Sequence, residues 1–314
     1  MKFHSCFFLL LIVLAVFESA CGGGSSSSSA LISTGTTNVP AFSHVFIVVE
    51  ENHSYGEVVG NAGMPYFNGL ANSYGLATQF YGNAHPSLPN YFELTAGDGT
   101  SITGVAGDSY TGPMAQDNVV RALKGASKTW KSYAESLPAT GYLGGDSGAY
   151  VKRHNPFAYF SDVINDPTEA SNIVPFTQLA ADVASASMPN YAFVIPNLND
   201  DAHDCPVRLS TCTDAQKLAA ADQWLQTNID PVIKSSVFQD SVMVIVFDEG
   251  DLTDITNFGG HVAAVIVSPK SKAGYQSTTT YQHQSVLRLS LKALGATDLM
   301  GDAASAPDMG EFFQ

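Results

Sequence analysis

The sequence predicts an α/β layered domain built on a largely parallel sheet. Two observations carry that expectation. Four short apolar runs rich in β-branched residues (45–49, 191–195, 242–247 and 262–267) show no polar alternation, as befits strands covered on both faces. Helical patterns lie between and after them, and strands alternating with helices imply one layered α/β unit. The clearest helix opens at Thr213-Asp-Ala-Gln216, which has the spacing of a capping box, and Leu218, Ala221, Trp224, Leu225 and Ile229 follow on one face. Val286, Leu287, Leu289 and Leu294 suggest another helix near the end, with Gly295 as its stop.

The chain has 314 residues, of which 45% are hydrophobic, ample for a sizeable core. Acidic residues outnumber basic ones 29 to 14, giving a formal charge of −15. That balance argues against a nucleic-acid partner, because phosphate backbones attract clustered Lys and Arg. The strongest apolar stretch, 7–17, is about half the roughly 20 residues a spanning helix needs. With Lys2 before it and Ser19-Ala20 after it, the stretch has the layout of an export signal.

Cys21 follows at once. Residues 1–20 therefore resemble a bacterial lipoprotein signal peptide, with Cys21 the residue to be lipidated; Glu18 departs from the usual Leu, and ordinary cleavage is the alternative. Residues 21–40 read as a Gly/Ser-rich tether and 41–314 as the folded domain. The expectation is an exported protein of the bacterial cell envelope, either lipid-anchored or secreted. Cys6 lies inside the signal, so Cys205 and Cys212 remain for the domain. In an oxidising compartment they are expected to pair, a two-thiol metal site being the weaker alternative.

In open α/β sheets, ligands bind beyond the carboxyl ends of the strands. Run 45–49 leads into Glu50-Glu51-Asn52-His53, and run 242–247 into Asp248-Glu249. Carboxylates crowded at one sheet edge repel, and a divalent cation held by oxygen ligands relieves them; solvated strand-end acids are the plainer alternative. The segment His85-Pro-Ser-Leu-Pro-Asn-Tyr91 places Ser87 between two prolines at the start of a helical stretch, where anions are favoured. It lacks the Gly-x-Ser-x-Gly elbow of an α/β-hydrolase nucleophile; a capping serine is the plain alternative. Beyond the signal, His44, His53, His85, His154, His203, His261 and His283 mostly sit in polar clusters beside turns, with His44 expected to be structural. None has the His-Glu-x-x-His spacing of a zinc protease.

Together these segments resemble the bacterial phosphoesterase family of secreted acid phosphatases and phospholipases C, within the alkaline-phosphatase-like superfamily. The matching pieces are Val48-Val-Glu-Glu-Asn-His-Ser-Tyr55, His85-Pro-Ser-Leu-Pro-Asn-Tyr91, Lys131-Ser-Tyr-Ala-Glu-Ser136, Arg153-His-Asn-Pro156, Pro196-Asn-Leu-Asn-Asp-Asp-Ala-His-Asp204, Phe247-Asp-Glu249 and Tyr281-Gln-His-Gln-Ser285. The ordered set, rather than any single piece, carries the likeness. It implies an alkaline-phosphatase-like three-layer domain over 41–314. It also implies one divalent ion (Mg, Ca, Mn or Zn) on Glu51, Asn52, Ser87, Asp248 and Glu249, with Ser87 as the nucleophile.

His203 and His154 are then the candidates for contacting the phosphoryl oxygens or protonating the leaving group. Lys152 and His283 follow as substrate contacts, and His261 and His85 as residues that orient the others; Arg153 competes with Lys152 and His154 for the phosphate. The implied substrate is a phosphate monoester, either a small molecule or a phosphoinositide. A membrane enters only through the possible anchor at Cys21. A phospholipase C-like phosphodiesterase and a non-catalytic surface lipoprotein are the alternatives.

Overall fold

Nine strands join one sheet among the residues that the computed structural model describes, 38–98, 107–207 and 209–314. In chain order they are β1 (His44–Glu50), β2 (Gly75–Tyr81), β3 (Trp130–Ala134), β4 (Ile173–Pro175), β5 (Tyr191–Ile195), β6 (Ser241–Phe247), β7 (His261–Val267), β8 (Tyr275–Ser277) and β9 (Tyr281–Gln282). Their spatial order is β4-β3-β5-β1-β6-β7-β2-β8, with β9 also beside β2. The expected signal peptide, Cys21 and the tether up to residue 37 lie outside the described residues.

The four runs expected to be strands are β1, β5, β6 and β7, and three of them form the centre. β1 lies between β5 and β6, parallel to both, with Ile47 level with Phe193 and Val244. Every side chain of β5 and β6 is buried, which is why neither alternates. β7 is the exception to the parallel sheet, antiparallel to β6 and to β2. It therefore begins at the edge where its neighbours end.

Helices cover both faces, as the strand pleat shows. Phe193 faces Tyr91 of the helix Leu88–Ala96, with ring centroids 6.2 Å apart. Phe247, three residues beyond Val244, points to the opposite face and meets Phe67 of the helix Pro65–Ser73 at 5.9 Å. The helix His283–Ala293 packs on the first of these, and Asp214–Asn228 on the second. These are the three layers.

The two expected helices form where their end signals lie. Thr213 is the N-cap of Asp214–Asn228, with its backbone N–H donating to Gln216 Oε1 at 3.0 Å. Gly295 follows the last helix at φ +75, a left-handed stop that glycine takes without strain. Asp222 faces the core and accepts the N–H groups of Tyr66 (3.0 Å) and Phe67 (2.8 Å). One helix thus caps the next. Cys205 and Cys212 are joined, with Cα atoms 5.5 Å apart. Among the described residues no helix is long and apolar enough to cross a membrane.

Candidate active site

Chain segments ending β1, β2, β5 and β6 converge at the carboxyl edge of the sheet. β1 delivers Glu51 and Asn52, and β6 delivers Asp248 and Glu249. Asn52 holds φ +46, a left-handed turn that asparagine tolerates better than most residues. In that turn its N–H meets Asp248 Oδ1 at 3.2 Å, and its side-chain Nδ2 donates to Glu249 Oε1 at 2.5 Å. The two strand ends are thereby tied together.

Ser87 arrives from β2 at the N-cap of the helix Leu88–Ala96. Asn90 fixes the approach: its Oδ1 accepts the N–H groups of Asn83 (2.8 Å) and Ala84 (3.1 Å), and its Nδ2 donates to Ala84 O. Ser87 Oγ then lies 3.0 Å from Glu51 Oε2 and 3.1 Å from Glu249 Oε1, only 2% exposed. A hydroxyl has one proton to donate. Two carboxylates around it are compatible only if one is protonated or a cation sits among them.

The electrostatics say the same. Burial raises Asp248 to about 7. Burial, then Asp248, raises Glu249 to about 9. Burial, followed by Asp248 and Asp201, pushes Glu51 well above the carboxylate range, and Asp201 is raised chiefly by burial too. Burial and mutual repulsion disfavour the ionised forms of these acids, and a nearby positive charge would offset both. The donor set of Glu51, Asn52, Ser87, Asp248 and Glu249 is all oxygen, and Asn52 Oδ1 and Asp248 Oδ2 are buried with no hydrogen-bond partner. That chemistry fits a hard divalent cation. Among the described residues no three His, Cys, Asp or Glu side chains stand as a ready-made ligand set, so binding must exchange some of these hydrogen bonds for coordination.

The histidines divide. His154 is buried, stacked on the Tyr91 ring (5.1 Å, 6° between planes), with Nε2 3.2 Å from Glu51 Oε1 and Nδ1 3.5 Å from Asp201 Oδ2. Burial pushes it well below the usual imidazole range. His203 is partly exposed, with Nδ1 2.9 Å from Asp204 Oδ1 and its ring 6.2 Å from that of His154. Its backbone N–H donates to Asp201 Oδ1 at 2.9 Å, next to Ala202 at φ +75. His85 brings Nδ1 within 2.5 Å of Glu249 Oε2, its other nitrogen 3.0 Å from the Asp254 carbonyl.

His283 and Lys152, expected as substrate contacts, and His261, expected to orient other residues, each have partners of their own. His283 is fully buried with Nε2 2.5 Å from the Asp248 carbonyl, lowered by burial to about 4, so it braces the end of β6. His261 stacks on Tyr55 at 4.3 Å and meets the Thr78 carbonyl at 3.0 Å. Lys152 turns onto the Tyr159 ring, 4.5 Å from its centre, and Arg153 pairs with Asp108 at 3.4 Å. His44, expected to be structural, meets the Pro189 carbonyl at 2.8 Å, remote from the edge.

Two residues of the site were not anticipated. Tyr91 OH donates to Glu51 Oε1 at 2.6 Å; lying four residues after Ser87, it shares the helix face of the serine, a signal available from spacing. Asp201 sits in an irregular turn with no periodic signal. A cavity of about 200 Å³ opens beside Asn52, His53 and His203, with Lys217 and Leu252 also on its wall. Asn52 links it to Ser87, since both bond to Glu249 Oε1.

A serine among strand-end acids, on a mostly parallel sheet with helices on both faces, is set in the fold of the alkaline phosphatase superfamily. A solved structure of a protein in that superfamily from Vibrio parahaemolyticus superposes with a TM-score of 0.59, covering 85% of this chain and 71% of that one at 15% identity. The chain belongs to the phosphoesterase family, whose model matches residues 61–294, and it is an enzyme of the phosphoric-ester hydrolase class. It is 32% identical over 223 residues to a phosphatidylinositol-3-phosphatase from Mycobacterium tuberculosis, covering 70% of this chain and 68% of that one. It is 28% identical over 256 residues to a probable acid phosphatase from Kluyveromyces lactis, covering 79% of this chain and 57% of that protein. An Aspergillus fumigatus acid phosphatase is spanned over 54% of its length, at 29% identity and 79% of this chain.

Proposed function

We propose that this chain is an exported, metal-dependent acid phosphatase that hydrolyses phosphate monoesters through a phosphoserine at Ser87. The observation that carries the reading is Ser87 Oγ held between two buried carboxylates at a helix N-terminus. A divalent ion on Glu51, Asn52, Asp248 and Glu249 would lower the hydroxyl's pKa and offset charge on the transferring phosphoryl group. Ser87 Oγ attacks phosphorus and its proton passes to a neighbouring carboxylate. The Oγ–P bond forms as the bond to the leaving oxygen breaks. His203, on the cavity wall and partly exposed, would give that oxygen its proton. Water then attacks phosphorus, releasing phosphate and restoring the serine.

Buried between them, His154 serves this scheme by holding Glu51 and Asp201 apart rather than by touching substrate. The names of the relatives favour monoesters, and that of the mycobacterial one makes phosphatidylinositol 3-phosphate the first lipid to test. The deciding assay follows nitrophenol release from mono- and bis-nitrophenyl phosphate, with and without chelator, for wild type and Ser87→Ala. Monoester turnover abolished by chelator, and lowered on the order of 10³-fold or more in Ser87→Ala, is the expected result. Diester turnover alone would replace it with a phosphodiesterase; turnover surviving Ser87→Ala would remove the phosphoserine.

A further inference from the structure

Five large apolar side chains stand exposed among the described residues: Val207 (67%), Leu209 (42%), Leu252 (68%), Ile255 (75%) and Phe258 (82%). Scattered singly over a surface, such residues need no explanation. These five occupy just two loops, and both loops spring from the site. One joins Glu249 to His261; the other joins His203 to Asp214. Leu252 lines the same cavity as Asn52 and His203, and Asp214 lines it too.

Each loop is closed at its base, and the exposed apolar residues lie within the closed segments. The Gly250 N–H donates to Gly259 O at 2.8 Å, and the Cys205–Cys212 bond closes the second loop. Turn bonds from Asp254 N–H to Asp251 O (2.7 Å) and Phe258 N–H to Ile255 O (3.0 Å) shape the first. They space Leu252, Ile255 and Phe258 at intervals of three. Phe258 adds a separate observation. Its φ is +76, a left-handed conformation that is unfavourable for a bulky residue. The ring is the most exposed of the five, so its own packing does not offset that strain.

We infer that the two loop tips form an apolar collar that inserts into a phospholipid surface and sets the cavity over the headgroups. The occupant follows from position: the loops border a cavity lined by Asn52 and His203 of the site, and a lipid monoester would meet that cavity embedded in an apolar sheet. The chain carries a net charge of −15, and the cavity wall holds Asp214 and Asp251 beside Lys217. The collar therefore docks by apolar insertion on a zwitterionic surface, not by attraction to an anionic one. The choice of a lipid surface rests on the phosphatase reading, whereas docking itself needs no chemistry and can be measured apart from hydrolysis.

The test uses the full chain carrying Cys21→Ser, so that no acyl anchor contributes, with and without Ile255→Ser/Phe258→Ser. Phosphatidylcholine vesicles are used plain or with phosphatidylinositol 3-phosphate, and nitrophenyl phosphate is the soluble control. The parent should sediment with plain vesicles and the double variant at least tenfold less. Hydrolysis of the vesicle-borne ester should fall by a similar factor while nitrophenyl phosphate turnover stays within twofold. Phe258→Gly should melt higher than the parent yet bind vesicles less, since glycine relieves the strain and removes the ring. Vesicle binding unchanged in both variants overturns the collar, as does a parent that never binds. Equal loss on the soluble ester would mean that the tips serve the cavity itself. If the parent binds vesicles through these tips but hydrolyses neither ester, the collar stands and the phosphatase reading fails.

Discussion

Replacing Tyr91 with Phe separates the proposed cation site from the rest of the fold. Tyr91 is fully buried, and its ring lies flat on His154 at 5.1 Å. Phenylalanine keeps that ring and its packing. What is lost is the hydroxyl that donates to Glu51 Oε1 at 2.6 Å, a bond that favours the ionised form of Glu51 against its burial. A hydrogen bond to a charged group contributes about 1.5–3 kcal/mol, and a tenfold change in affinity is about 1.4 kcal/mol. Since a cation needs Glu51 ionised, its affinity should fall by roughly 10- to 150-fold, in line with the losses typical of groups that hold ligands in place. The assay titrates chelated protein with Mg, Ca or Mn and follows both heat and nitrophenol release. Turnover at saturating cation should stay within a few fold of wild type. Unchanged affinity with lost turnover would refute the reasoning and move Tyr91 to the nucleophile or the substrate.

Three other outcomes concern buried acids, in the site and away from it, and the backbone beside the site. Acids raised in the folded state bind more protons than the unfolded chain between about pH 4 and their folded values, about 7 for Asp248 and about 9 for Glu249. Chelated protein should therefore melt progressively lower as pH rises from 5 to 9, and a divalent cation should flatten that slope; a flat chelated profile refutes it. Asp182 has the opposite sign: burial would raise it, but Lys131 (2.6 Å), Tyr133 (2.7 Å) and Gln178 (2.9 Å) outweigh burial and hold it below the usual range. Its contribution is present above the unfolded value near 3.9 and lost as pH falls through the folded one. Asp182→Asn should be less stable by about 1–3 kcal/mol at pH 7 and lose less on acidification, as denaturant melts at pH 7 and 3.5 would show. Finally, a Cβ on Gly259 would sit 2.4 Å from the Gly82 carbonyl carbon and 2.6 Å from Asn83 N. Backbone cannot yield there, so Gly259→Ala should destabilise by about 1–3 kcal/mol and displace the segment carrying Ser87, lowering turnover more than Phe258→Gly does.

The legible parts of the chain were those whose physics is local. β1, β5 and β6 announce themselves because a doubly covered strand is apolar throughout, and the helix Asp214–Asn228 because its cap is written in Thr213 and Gln216. β2 (Gly-Leu-Ala-Thr-Gln-Phe-Tyr) has half-buried polar residues at its centre and a register shift between Ala77 and Phe80, so it shows neither clean alternation nor a continuous run. β4, β8 and β9 have three residues or fewer, too few for any periodicity. Lys152 and His283 illustrate the limit for side chains. A basic residue beside a turn looks the same whether it faces a phosphate or an aromatic ring, and a histidine opening a helix looks the same whether it meets a substrate or a backbone carbonyl.

The reversal of β7 was the least legible feature, and much of the site depends on it. Val262 to Val267 would suit a parallel strand equally well, because burial on both faces hides direction. Only the antiparallel register, with Val244 level with Ile266 and Ala77 with Ala264, starts the strand at the catalytic edge. That brings Gly259 and Gly260 against Gly82, whose N–H donates to Gly260 O at 2.9 Å. Three glycines at one crossing are what allow the segment leading to Ser87 and the loop bearing Ile255 and Phe258 to leave the sheet side by side. A parallel β7 would have delivered its preceding loop to the opposite edge, away from Asp248 and Ser87. The direction of one strand thus decides whether Ser87 and the loop bearing Ile255 and Phe258 leave the sheet side by side or at opposite edges.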